Sequence, residues 1–220
     1  MLDFATARRM MVDGQIRPND VTDLRIISAF LSVPRERFVP PDRAGIAYLD
    51  LDVPVTAGVP ARCLLKPMVL AKFLQIAGVG EADRVLDVGA ATGYSSAVLS
   101  YIAASVVGVE LDSALARQAT ETVRDVASAP VEIVQGPLEA GCAARAPYDV
   151  IIINGAIEEL PQALCDQLRD GGRLMRVLGT GPASKAMLYR RDGAEMSGRP
   201  VFDAAAAALP GFVKVPPFAF

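Results

Sequence analysis

Asp87-Val88-Gly89-Ala90-Ala91-Thr92-Gly93 and, after a second apolar run, Glu110 are the residues of this chain whose types and spacing best suit holding a ligand. Gly89, Ala91 and Gly93 are small enough for a ligand to approach the backbone closely. Glu110 ends the run Val106-Val107-Gly108-Val109 and offers two acceptor oxygens to a vicinal diol. In the dinucleotide fingerprint G-x-G-x-x-G the glycines seat a pyrophosphate on a helix N-terminus, and an acid about 20 residues further on takes the ribose. Here an acid, Asp87, precedes the turn and Ala91 holds the middle position. A carboxylate there repels a pyrophosphate but suits a ligand bearing an amino group and a sulfonium. The pattern therefore points to S-adenosylmethionine, the plain alternative being an ordinary strand-turn-helix corner with a solvated Glu.

The chain has no histidine. That excludes Ser-His-Asp and Cys-His catalysis, His-based zinc sites and the commonest general base near neutral pH. Methyl transfer from a sulfonium to an already ionised carboxylate fits this limit, because the nucleophile needs no deprotonation and the enzyme works by alignment and exclusion of water. With 22 basic and 25 acidic residues and a net charge of −3, the chain has no basic field for nucleic acid. Its 52% apolar content contains no run of about 18 apolar residues, so no membrane span is expected. Cys63, Cys142 and Cys165 lack metal spacing and suit a reducing compartment, as buried small hydrophobes. The N-terminal residues show no export signal, and a cytoplasmic location is expected.

The elements that must position Asp87 and Glu110 follow from the apolar periodicity. Strands are predicted at 84–88, 106–110, 131–134, 150–153 and 173–178, with helices at 94–102, 113–126 and 161–168, the second capped by Ser113. This alternation implies an α/β fold: a doubly wound, mainly parallel sheet with right-handed crossovers, Rossmann-like, preceded by a helical N-terminal extension. Ligands bind such sheets at the carboxyl ends of the strands, where Gly89, Glu110, Gly136 and Asn154 fall. In the extension, Thr6 is predicted to cap a helix ending near Gly14. Thr22 is predicted to cap a second, with Leu24, Ile26, Ile27, Phe30 and Leu31 on one buried face, and Pro67 opens a third through Leu74. Met187-Leu188-Tyr189 and Phe212-Val213-Lys214-Val215 read as antiparallel edge strands, and 204–208 as a helical turn or ordered loop. The organisation expected is an extension over residues 1–80 covering the active site and a cofactor-binding core over 81–220.

Several stretches resemble the protein-L-isoaspartate O-methyltransferase family over residues 10 to 180. They are Gln15-Ile16, Asp23, Phe30-Leu31-Ser32-Val33-Pro34-Arg35-Glu36-Arg37-Phe38-Val39-Pro40, Ala47-Tyr48-Leu49-Asp50, the loop Gly89 to Tyr94, Ala146-Pro147-Tyr148-Asp149, and Leu160-Pro161 with Gly171-Gly172-Arg173-Leu174. The resemblance implies a class I methyltransferase core, S-adenosylmethionine as donor and an isoaspartyl protein or peptide as acceptor. By it, Asp87, Gly89, Ala91 and Gly93 hold the methionine end, Glu110 the ribose, and Pro137 and Leu138 the adenine; Leu111 and Gly136 complete the cofactor-binding candidates. The family's substrate loop reads Gly-x-x-Thr-Ile-Ser-x-Pro. Set on Pro67, it places Leu65 at the active-site Ser and Cys63 at the Thr, and Gly136-Pro137-Leu138 stands where the family has Gly-Asp-Gly. Arg62 and Lys66 flank the altered position, and Asn154-Gly155-Ala156 departs from the Asn-Pro-Pro-aromatic sequence of amino-methylating enzymes. No catalytic residue is assigned. The acceptors left open are an isoaspartyl carboxylate and a small apolar carboxylic acid or phenol; a third reading is a cofactor-binding protein without turnover.

Overall fold

Five mutually parallel strands, extended at one edge by the antiparallel pairings of β8 with β7 and of β9 with β8, form a single seven-stranded sheet in the order β5-β4-β3-β6-β7-β8-β9 in the computed structural model, which describes residues 3–58, 61–179, 181 and 183–212. The strands are β3 (Arg84–Val88), β4 (Ser105–Glu110), β5 (Val131–Gln135), β6 (Tyr148–Ile157), β7 (Leu168–Leu178), β8 (Lys185–Asp192) and β9 (Glu195–Asp203). The short strands β1 (Val53–Pro54) and β2 (Cys63–Leu64), which the sequence pattern did not reveal, pair separately. The helices are α1 (Phe4–Met11), α2 (Leu24–Ser32), α3 (Pro67–Ala77), α4 (Tyr94–Leu99), α5 (Ser113–Val126) and α6 (Gln162–Asp166).

Successive strand residues point to opposite faces, so the central strands feed two cores. Val85, Val106, Val150, Ile152 and Met175 face α3, α4, α5 and the N-terminal extension. Leu86, Val88, Val107, Ile151 and Ile153 face Leu138, Leu164, Leu168, Leu209 and Phe212. Strands buried on both faces read as the continuous apolar runs seen in the sequence. The first core is continuous with Met11, Ile26, Phe30 and Phe38, so the extension shares a hydrophobic core with the sheet.

Three helices are capped by an Asp one or more residues from the predicted cap, and the reason is the same in each case. Asp112, not Ser113, accepts from the amides of Ala114 and Leu115 at 2.7 and 3.0 Å. Asp23, not Thr22, accepts from Arg25, and Asp3, not Thr6, accepts from Ala5 and Thr6. A carboxylate is a stronger acceptor than a hydroxyl and complements the positive helix N-terminus. Starting α2 at Leu24 turns that residue outward, to 72% exposure, and Leu31 lies at the rim, while Ile26, Ile27 and Phe30 are buried. α1 continues through a π turn, Val12–Ile16, instead of stopping near Gly14. α3 runs past Leu74 to Ala77, where Gly78 closes it at φ 62°.

Around the sheet, α4 is shorter than predicted, β6 and β7 are longer, and α6 shrinks to a short helix. Met187-Leu188-Tyr189 lies in the antiparallel β8 as expected. The strand expected from Phe212 onward falls outside the described residues beyond Phe212 itself. Residues 204–208 are an ordered loop, with Ala208 bridging to Ala156 at the end of β6.

Candidate active site

Asp87 and Glu110 are brought together because β3 and β4 are parallel neighbours in register, Asp87 opposite Gly108 and Val88 opposite Val109. The turn between β3 and α4 is left-handed at three positions: Gly89 (φ 77°), Ala91 (φ 52°) and Gly93 (φ 93°). Glycine adopts this region without strain, and Ala91 is there against its intrinsic preference. The Ala91 conformation is held by its own amide, which donates to Glu110 Oε2 at 2.7 Å.

Both acids are fully buried. Asp87 Oδ2 accepts from the hydroxyls of Ser95 and Ser96 at 2.7 and 2.5 Å, and Oδ1 from Asn154 Nδ2 at 2.5 Å. Burial pushes the Asp87 carboxyl above the usual aspartate range and the nearby Glu110 charge adds to this, while the Ser96, Ser95 and Asn154 donors oppose it. Glu110 Oε1 accepts from the Asp112 amide at 3.1 Å, and Oε2 also receives Arg62 Nη2 at 2.8 Å. Arg62, which the sequence placed only beside the altered position, is 8% exposed and ion-paired.

The remaining candidates divide. Gly136 follows β5 and its amide donates to the Glu110 carbonyl at 3.0 Å; Pro137 is exposed, Leu138 is buried in the second core and Leu111 is 42% exposed. Asn154 is positioned by β6 onto Asp87, a contact the sequence did not reveal. Leu65 is buried and lines a narrow cleft with Cys63, Leu64, Leu70, Tyr94 and Asn154 beside the Gly89 corner. Lys66 is half-buried, and its amide donates to Asp52. Of the cysteines, only Cys165 is fully buried; all three are free. Tyr94 fills the core beneath the corner, edge-on to Phe30 and Phe38.

Four contributors were not legible as site residues in the sequence. Ser95 and Ser96 read only as helix-start residues. Arg35, inside the run Val33-Pro34-Arg35-Glu36, is fully buried. Its Nε donates to the Ala47 carbonyl at 2.7 Å and its Nη2 to the Leu65 carbonyl at 2.8 Å, with the guanidinium 4.5 Å from the Tyr94 ring centre. Within the extension it ties the segment after α2 to the loop carrying Leu65. Leu209 lies over the corner: a Cβ on Gly89 would meet its Cδ2 at 3.1 Å, and one on Gly155 its Cγ at 2.5 Å.

As a donor set, two buried carboxylates flanking an approachable backbone corner fit an aminoacyl-nucleoside cofactor. Asp87 matches an ammonium and Glu110 a diol. The side chains that now fill the corner, Arg62 and Leu209, come from outside that donor set. Among the described residues no cluster of His, Cys, Asp and Glu is placed to hold a metal, and no helix is long and apolar enough to cross a membrane.

Comparison with known proteins bears on the same residues. The sequence model of the protein-L-isoaspartate(D-aspartate) O-methyltransferase family matches residues 7–205. The chain is 36% identical over 183 residues to protein-L-isoaspartate O-methyltransferase 2 of Anaeromyxobacter sp. (strain Fw109-5), covering 83% of this chain and 73% of that one. It is 36% identical over 186 residues to the protein-L-isoaspartate O-methyltransferase of Methanoregula boonei, covering 84% of each. A solved protein-L-isoaspartate O-methyltransferase superposes with a TM-score of 0.80 at 25% identity, over 93% of this chain and 67% of that one. A Plasmodium falciparum protein described as a putative member, solved with S-adenosyl-L-homocysteine, shares the fold at a TM-score of 0.77 and 17% identity, over 96% of this chain and all of that one. On the extent of these matches, the chain belongs to the protein-L-isoaspartate(D-aspartate) O-methyltransferase family.

Proposed function

We propose that this methyltransferase binds S-adenosylmethionine at the corner between β3 and α4 and transfers its methyl group to the carboxylate of an isoaspartyl residue in a protein or peptide. The family uses this donor for carboxyl methylation, and the observation that carries the reading to this chain is the pair of buried acids, Asp87 and Glu110, on a retained left-handed corner. Gly89, Ala91 and Gly93 admit the methionine end with Asp87 facing its ammonium, Glu110 and Leu111 border the ribose, and Gly136, Pro137 and Leu138 border the adenine. The cofactor supplies a methyl group activated on a sulfonium. The chain's own part is to align an already ionised acceptor and keep water out, for which the apolar walls Leu64, Leu65 and Leu70 are suited. The extension over residues 1–80, tied down by Arg35, forms the acceptor side of the site.

Incubation with radiolabelled donor and an isoaspartyl peptide is expected to yield a base-labile methyl ester, and the matching aspartyl peptide none. Incorporation equal in the two would remove the isoaspartyl acceptor. The apolar lining at Leu65 favours one second reading, a small apolar carboxylic acid as acceptor, which release of S-adenosylhomocysteine across a panel of such acids would reveal.

Leu65→Ser restores a hydroxyl at the position where the family's substrate loop carries one. A hydrogen bond to a charged group is worth about 1.5–3 kcal/mol, so kcat/KM for an isoaspartyl peptide is expected to rise about tenfold or more. The buried site pays for the change with about 2–3 kcal/mol of stability, from lost packing. Higher stability with unchanged kcat/KM would contradict both halves.

Because burial raises the Asp87 pKa, the carboxyl takes up a proton sooner than a free aspartate as pH falls. Protonation removes the partner of the cofactor ammonium. Affinity for S-adenosylhomocysteine is therefore expected to weaken as pH falls, at a higher pH than a free aspartate would dictate, and calorimetry from neutral into the acid range reads it directly. A flat profile would mean that Asp87 stays ionised or does not face the ammonium.

A further inference from the structure

The corner that suits the cofactor is filled by the protein itself. Arg62 Nη2 donates to Glu110 Oε2, one of the two carboxylate oxygens available to a ribose diol, and lies 3.2 Å from where a Gly89 Cβ would stand. Leu209 presses on the same glycine and on Gly155. It is held there by backbone pairing with the end of β6: the Ala156 amide donates to the Ala207 carbonyl at 2.8 Å, and the Leu209 amide to the Ala156 carbonyl at 3.0 Å. The strand of chain continues to Gly211, whose Cα faces Glu139 so closely that a Cβ would meet its Oε2 at 2.5 Å. Residues 204–211 thus cross from the glycine corner to the loop after Leu138, the two ends of the expected cofactor site. The adjoining cleft is left with room for about one water, whereas ligand pockets enclose about 300–1,000 Å³.

The closed arrangement is poorly satisfied at Arg62. Its Nε is buried without a hydrogen-bond partner, so the side chain gives up hydration at that atom and gains nothing there. Arg62 reaches the corner through its side chain, and the segment bearing Leu209 through its side chain and a short backbone pairing at the end of β6. Asp87, Glu110 and the left-handed turn belong to β3, β4 and the β3–α4 turn, elements separate from both.

We infer that Arg62 and the 204–211 segment form an intramolecular gate over the cofactor corner, with the guanidinium standing in for the ribose on Glu110 and Leu209 standing over the glycines, so that the donor binds only after both withdraw. This rests on the reading that the corner takes S-adenosylmethionine. A protein whose competent state is a minor fraction of the population binds more weakly by that fraction, so removing the gate raises affinity with no new contact to the ligand.

The test compares the wild type with Arg62→Ala/Leu209→Ala by calorimetric titration with S-adenosylhomocysteine. The double variant is expected to bind at least about tenfold tighter. Equal affinity would overturn the gate and leave the cofactor reading standing, whereas absence of binding by either protein would overturn that reading and the gate with it. Arg62→Ala leaves Glu110 unpaired in the interior, so hydrogen exchange on the unaltered protein guards against a folding defect. Saturation with S-adenosylhomocysteine is expected to lower the protection of the Leu209 and Ala156 amides at least about tenfold. Unchanged protection of both in the saturated protein would show the segment still seated, and the gate would fall.

Discussion

Asp87→Asn is expected to leave the protein as stable as the wild type or more so, while S-adenosylhomocysteine binds about 10- to 100-fold more weakly. The two effects separate because Asp87 serves the ligand at the expense of the fold. Its carboxyl is fully buried, and burial raises its pKa in the folded state. The folded protein therefore holds the proton more tightly than the unfolded chain, whose aspartate titrates near about 3.9. By linkage, that difference costs stability increasingly as pH rises through the window between the two pKa values, and is absent below the unfolded value. Asn removes the ionisation, so any gain is greatest at neutral pH and disappears in acid. Its Oδ1 still accepts from Asn154 Nδ2, and its amide can donate to the Ser95 and Ser96 hydroxyls, which rotate to accept. The loss in affinity is that of a hydrogen bond to a charged group, about 1.5–3 kcal/mol, and the pH dependence of binding should vanish with it. Urea unfolding at two pH values and one titration settle the matter; a variant that loses several kcal/mol yet binds normally would reverse the assignment of Asp87.

Arg35→Ala should be far more damaging to the fold than its place in a charged sequence segment suggests, with an expected loss of about 3–5 kcal/mol. The side chain is large and fully buried, so alanine leaves a cavity under Tyr94. It also strips the Ala47 and Leu65 carbonyls of their donors. Each orphaned buried acceptor costs about 1–3 kcal/mol. Two further variants separate the contributions. Arg35→Met orphans the same two carbonyls but keeps most of the volume and ends the burial of a cation, which itself opposes folding, so its loss should be smaller than that of alanine by the cavity contribution. Arg35→Lys keeps the charge but cannot span two carbonyls with a planar fork, and should fall between. Denaturant melts that place alanine within about 1 kcal/mol of wild type would mean that the extension and the Leu65 loop are held by packing alone. On the proposed placement of the acceptor, loosening that loop should also raise KM for the peptide before it alters donor affinity, since Arg35 bonds the Leu65 carbonyl, whereas Asp87 is held by Ser95, Ser96 and Asn154.

What the sequence determined by itself is the part written in local periodicity and covalent neighbours. The apolar runs set the strands, the alternation of strands and helices implied a parallel, doubly wound core, and the small residues at Gly89, Ala91 and Gly93 set the corner, because each is read from residues close together in the chain. The motifs also sufficed for the family, since stretches such as residues 30–40 are specific strings. Helix caps were mislaid at Thr6, Thr22 and Ser113 because hydroxyls and carboxylates both cap, and only the backbone geometry chose the neighbouring Asp each time. The chemistry of the acids was decided by tertiary structure. Nothing near Glu110 in the chain announces Arg62, 48 residues away, and nothing near Gly155 announces Leu209. A charge reads as solvated surface until folding buries it, and a leucine in an alanine-rich tail reads as filler until it covers a glycine. Contacts between distant segments depend on how the chain closes on itself, and that is information no local pattern holds.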